Sequence, residues 1–181
     1  GRYLWARGHW SEGRAMCRRL LAHPLAPAEG AARAAVLTVA GDLAHRQGDT
    51  AEARVRHEEA LAIWRRLGDR AGIAVSLGML GNIALAQGDY PGARALFEES
   101  LALRRESDHR WGAASAVLNL GRVAFMQGQY DEARAAFAES LAVARELGHD
   151  WGISASLTAM ATLEATAEHY AEARIHFLES L

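Results

Sequence analysis

A beat of 40 residues constrains this chain more than any other feature. Gly41, Gly81 and Gly121 are spaced by 40, and so are Gly8, Gly48, Gly88 and Gly128. Tyr90, Tyr130 and Tyr170 keep the interval, with Trp10 and Thr50 in the same column. Phe97, Phe137 and Phe177 keep it too, preceded in register by Cys17 and His57. Arg14, Arg54, Arg94, Arg134 and Arg174 occupy one position in every copy. A period of this length marks a supersecondary unit that cannot bury its apolar face alone and must stack on its neighbours. The register places units at 31–70, 71–110, 111–150 and 151–181, with a partial unit at 1–30, as one continuous repeat domain.

Each unit reads as two helices. In 71–110 the first carries Leu77, Leu80, Gly81 and Ala84, an i, i+3, i+4, i+7 stripe. Gln87-Gly88-Asp89 ends it, because glycine accepts the left-handed conformation that closes a helix. Pro91 suits the first turn of the second helix, where its missing N–H costs nothing. That helix turns Ala93, Phe97, Ser100 and Leu101 to one face. Sparse aromatics, abundant alanine and few β-branched runs fit an all-α protein.

The run Leu77-x-x-Leu80-Gly81-x-x-Ala84-x-x-x-Gly88-x-Tyr90-x-x-Ala93-x-x-x-Phe97-x-x-Ser100 resembles the tetratricopeptide repeat (TPR). Unit 111–150 repeats it as Val117, Leu120-Gly121, Ala124, Gly128, Tyr130, Ala133, Phe137 and Ser140. The 40-residue period resembles the extended variety of kinesin light chain. The phrasing Leu67-Gly68-Asp69-Arg70-Ala71-Gly72-Ile73-Ala74 resembles arrays in bacterial LuxR-type and signal-transduction ATPase regulators. The resemblance implies a right-handed superhelical solenoid of antiparallel helix pairs. The last unit departs from the pattern, with Ala161 for the first-helix glycine and Glu168 for the closing glycine. Gly1 aligns with Gly41, and the chain stops within a second helix, so both ends read as cuts in a longer array.

Composition narrows the function. The 181 residues carry 20 Lys+Arg against 22 Asp+Glu, a formal charge of −2, which offers no electrostatic footprint for nucleic acid. Every basic residue is arginine, which excludes a P-loop lysine, a Schiff-base lysine and a Ser-Lys dyad from these residues. Cys17, alone of its kind, cannot form an internal disulfide, and a reducing, cytoplasmic setting is expected. The uncharged stretch 71–88 raises a membrane span, but its counterparts carry Asp42, Arg46 and Arg122, which places it inside protein. No G-x-S-x-G, H-E-x-x-H, C-x-x-C or Walker motif occurs, so neither an enzyme nor a cofactor is expected.

Isolated reactive residues read as structure. His57 and Cys17 stand in the Phe97 column and are expected to pack rather than to bind metal or react. His109 and His149 share a turn column, too far apart to ligate one ion, and are expected to be solvated. Trp111 and Trp151 open successive first helices as packing residues. The arginine column is matched by Glu59, Glu99, Glu139 and Glu179 and by pairs such as Arg54/Glu58 and Arg94/Glu98, giving a salt-bridged outer face.

The resemblance implies that first helices line a concave groove and that the residue after Leu-Gly points into it. On this chain that column holds Asp42, Asn82, Arg122 and Thr162; His45, Arg46, Leu85, Phe125 and Met126 follow one turn later, and Met79 and Asn119 precede it. Amide and guanidinium groups would pair with an extended peptide, and exposed Leu, Phe and Met would grip its apolar side chains. The lysine-based clamp of chaperone-binding TPRs is not matched: Thr38, Gly78, Leu118 and Thr158 stand there. The expected function is a non-catalytic protein- or peptide-binding module, a scaffold or sensor segment of a larger bacterial signalling or transcriptional regulator. The alternatives are a small-molecule effector sensor and a self-associating spacer that forms homo-oligomers through exposed array ends. Neither nucleic acid nor membrane is an expected partner.

Overall fold

A computed structural model describes residues 10–23 and 30–180. Gly1, Trp5 and Gly8, and the parts of unit 1–30 at 1–9 and 24–29, lie outside the described residues. Nine helices occur among the described residues, and no strand. They are α1 (Trp10–Ala22), α2 (Ala31–Arg46), α3 (Thr50–Leu67), α4 (Arg70–Ala86), α5 (Tyr90–Glu106), α6 (Arg110–Met126), α7 (Tyr130–Glu146), α8 (Asp150–Thr166) and α9 (Tyr170–Glu179). First helices begin near 30, 70, 110 and 150, and second helices at 50, 90, 130 and 170. None is long and apolar enough to cross a membrane. The all-α architecture expected from the sequence is what the described residues adopt.

One turn is used at both kinds of joint. The helix is closed by a residue with positive φ, and the next N–H reaches back to the carbonyl five residues earlier, as from Asp89 to Ala84 and from Gln129 to Ala124. At Gly88 (φ 78°) and Gly128 (φ 76°) the conformation is free of Cβ strain. Asp49, Asp69 and Asp89 then cap the next helix, accepting the N–H of Glu52 at 3.1 Å, Gly72 at 2.9 Å and Gly92 at 3.0 Å. Asp108 (φ 53°) and Glu168 (φ 62°) make the same turn with a side chain present.

The chain divides into two compact units, Gly1–Ile83 and Ala84–Leu181, with the boundary inside α4. In the first, α1 packs on α2 and α2 on α3. Its core is Ala34, Leu37, Ala60, Ile63 and Trp64, with Leu21 and Ile73 against it. In the second, α5 to α9 pack each on the next, and α6 also touches α8. Phe97 is wholly buried with Ala93 and Val123, and Phe137 with Ala133 and Leu163. The packing is steric: a Cβ on Gly121 would stand 2.7 Å from the Phe137 ring. Phe177, in the same column, is 43% exposed.

The arginine column does more than lie on a solvated face. Arg14 donates to Gln47 at 2.7 Å and to Asp49 at 2.7 Å, and also pairs with Glu52. Arg94 repeats this in the second unit, reaching Glu132 at 2.7 Å, Gln129 at 3.1 Å and Gln127 at 3.4 Å. Each guanidinium thereby ties its helix to the turn of the next repeat. Arg94 makes its hydrogen bonds across the repeat rather than to Glu98, and Arg54–Glu58 is a loose 3.9 Å pair. Where Ala167 replaces the turn glutamine, Arg134 instead meets Glu164 at 3.3 Å, and His169 meets the same carboxylate at 2.9 Å. The His169 hydrogen bond and then Arg134 hold buried Glu164 below the usual carboxylate range.

Glu168→Gly removes a Cβ from a left-handed residue whose side chain makes no hydrogen bond or ion pair with the other described residues. Urea unfolding of this variant is expected to show a gain of about 1 kcal/mol. An unchanged or lower stability would refute the strain assignment.

Candidate functional site

First helices of this array are buried on most of their circumference and keep one polar-accessible stripe. On α6 the stripe is Ser115, Asn119, Arg122 and Met126, while Val117, Leu118, Gly121, Val123 and Ala124 are buried. On α2 it is Ala35, Val39, Asp42 and Arg46, opposite Ala34, Leu37, Gly41 and Ala44. The spacing of i, i+4, i+7 and i+11 is one helical face.

In the second unit, Arg122 Nη1 donates to Asn119 Oδ1 at 3.3 Å, one turn back on α6. Desolvation works against the Arg122 charge and lowers its pKa. Phe125 is half-buried, tilted against Tyr130 with ring centroids 5.9 Å apart, and Met126 is 52% exposed. Polar and apolar groups thus alternate along two turns. Leu85 differs from the expectation of an exposed gripping residue. It is 9% exposed and packed with Phe97 and Val123, because its position on α4 faces the helix that follows.

In the first unit, Asp42 and His45 are half-buried and Arg46 is exposed on α2; Met79 and Asn82 are half-buried on α4. His57 of α3 fills the aromatic column behind them and is wholly buried. Its Nε2 lies 3.4 Å from Asp42 Oδ1, and a Cβ on Gly41 would sit 2.6 Å from that nitrogen. Burial, and then the charge of His45, push the His57 pKa from 6.5 down to about 4, so the ring is neutral at pH 7. Burial also raises the Asp42 carboxyl, against the opposing pull of Arg46 and His45. The sequence flagged His57 as a packing residue and missed this contact; a polar residue in an aromatic column, beside Gly41-Asp42, was the available signal.

Other sequence candidates resolve as structure. Cys17 is buried, and burial raises its thiol pKa, which leaves an unreactive thiol. His149 Nδ1 accepts the Gly152 N–H at 3.0 Å and caps α8. Trp111 stacks on His149 at 4.0 Å and fills the space over Gly152. Trp151, expected to pack, meets Trp111 edge-on at 6.0 Å but stays 65% exposed. Among the described residues no three His, Cys, Asp or Glu side chains form a set that could hold a metal ion.

The model of the tetratricopeptide repeat matches residues 32–106 and 112–181. The chain therefore belongs to the tetratricopeptide repeat family, a class of protein-interaction modules built of helix-pair solenoids. No curated protein matches the sequence. Among solved structures, the apo form of RapI is similar with a TM-score of 0.82 at 18% identity, over 99% of this chain and 65% of that one. BtubC (BKLC) from P. vanneervenii is similar with a TM-score of 0.71 at 19% identity, over 94% of this chain and 69% of that one. A kinesin light chain structure of nearly identical TPR-like repeats from Podosopora anserina has a TM-score of 0.71 at 19% identity, over 99% of this chain and 89% of that one. This chain spans about two thirds of the length of RapI and BtubC, and the likeness is one of fold.

The buried imidazole makes a pH prediction. Below pH 6.5 the unfolded chain protonates His57 while the native chain resists until about 4, so stability is lost as pH falls through that window. The loss is on the order of 2–4 kcal/mol. His57→Phe should abolish this share of the acid sensitivity in urea titrations between pH 7 and 4; an unchanged slope would contradict neutral burial of the ring.

Proposed function

We propose that the chain recognises a protein or peptide along the accessible stripes of its first helices. The observation that carries this reading is the stripe on α6. Asn119 and Arg122 are bonded to each other yet remain open to a ligand, Met126 beside them is exposed, and Phe125 packs on the core while staying only half-buried. An amide and a guanidinium serve main-chain carbonyls or a carboxylate, and the adjoining apolar side chains serve the ligand's own. Preformed helices keep the ordering cost on the protein side small. The stripe offers no paired acid, base and nucleophile, which favours a binding role over a catalytic one.

The protein in this reading is a scaffold or sensor segment within a larger bacterial signalling or transcriptional regulator, acting in the cytoplasm. Its support is the phrasing of the repeats and the Gln-Gly-Asp turns described above. A second reading, self-association, draws on α9. There Tyr170 and Leu178, each more than 60% exposed, line a shallow depression of about 390 Å³ together with Phe177.

The double variant Asn119→Ala/Arg122→Ala tests the groove. Peptides selected on the wild-type chain from a random library should lose about tenfold or more in affinity by calorimetry, with the melting temperature unmoved. Equal binding by the double variant would contradict the assignment.

A further inference from the structure

Unit 31–70 brings two buried and unsatisfied side chains, His57 and Asp42, face to face. Neither nitrogen of wholly buried His57 has a hydrogen-bond partner. Asp42 Oδ1, which faces that ring at 3.4 Å without a hydrogen bond, and His45 Nδ1 on the same helix are also buried and unpartnered. On α4, Asn82 holds the next place in the Asp42 column and buries an unpartnered Oδ1 as well. Buried polar groups left unpaired cost about 1–3 kcal/mol each, so several together in a folded protein point to something that satisfies them.

The chemistry of the orphans defines the complement. Asp42 Oδ1 and Asn82 Oδ1 can only accept, and a neutral imidazole accepts at one nitrogen. Oδ1 is enclosed against the His57 ring, while the Asp42 side chain as a whole is 43% exposed, so a ligand on the accessible stripe meets the carboxylate through its other oxygen and compensates the charge that Oδ1 buries. A half-buried carboxylate is stabilised most by a donor that brings its own positive charge. The groups on α2 that bear on Asp42 are Arg46 and His45, and α3 contributes the neutral ring of His57. Arg46 competes from the exposed side of the helix. It does not satisfy Oδ1, which is buried without a partner. A guanidinium or ammonium group brings that positive charge together with N–H donors suited to a carboxylate.

We propose that Asp42, seated against His57 and flanked by His45, is the subsite for a lysine or arginine side chain of the bound peptide. The proposal rests on the peptide-binding reading and adds its charge specificity. Selection of a random peptide library on the full chain should enrich peptides with a basic residue at one fixed position. Replacing that residue with norleucine should cost the wild type about tenfold in affinity by calorimetry and the Asp42→Asn variant no more than about twofold. Asp42→Asn introduces the side chain that Asn82 already supplies in the next repeat, and its melting temperature should match wild type. Enriched peptides without a fixed basic residue, or an equal cost in both proteins, would overturn the subsite and leave peptide binding standing. Failure to enrich any peptide would overturn both.

Discussion

The structure depends on large side chains entering gaps that only small ones leave. Phe137 occupies the space over Gly121, and Phe97 and Phe137 are both essentially removed from solvent. Trp64 lies over Gly72 in the same manner, and Trp111 over Gly152, where Cβ atoms would stand within 2.4 Å of the rings. Such pairs work only if each helix arrives at a fixed angle and depth. The shared left-handed turn supplies that regularity, because it closes each helix from α2 to α8 with the same backbone bond. Burial of the second-helix aromatic and geometry of the joint are therefore one constraint seen from two sides.

Polar residues elaborate this plan. Arg14 and Arg94 bind the capping turn of the following repeat, so the element that ends one helix is also what the preceding repeat grips. Where the turn loses its glutamine, Glu164 enters an alanine column and Arg134 pairs with it. Ser156 donates to Ser140 at 3.1 Å in a fully buried site, whereas the buried Ser76 hydroxyl has no hydrogen-bond partner among the described residues. His57 is the largest such change. It exchanges an aromatic hydrocarbon for a neutral imidazole and places that ring beside the carboxylate of Asp42.

Much of this is legible in the residues. Period, helix placement and the closing glycines follow from short-range chemistry that each unit states several times. The accessible side of each first helix is legible for the same reason, since burial of the opposite face is written in Leu37 and Ala44 on α2 and in Val117 and Ala124 on α6. Contacts that bridge more than 30 residues were not legible. The expected partner of Arg94 was Glu98, one helical turn away, yet a long flexible guanidinium reaches Glu132 instead. Leu85 was expected in the groove and is in the core, because the side of a helix that a neighbour covers depends on where that neighbour crosses. The left-handed backbone of Asp108 shows that an acidic side chain can hold a glycine's place.

The central claim is that each repeat's second-helix aromatic is buried by the repeat that follows it. Equilibrium urea unfolding of Phe97→Ala and Phe177→Ala, two positions in one sequence column, tests it most directly. The account predicts a loss of about 3–5 kcal/mol at Phe97, wholly enclosed, and under about 1.5 kcal/mol at half-exposed Phe177. Equal losses, or a larger loss at Phe177, would contradict it.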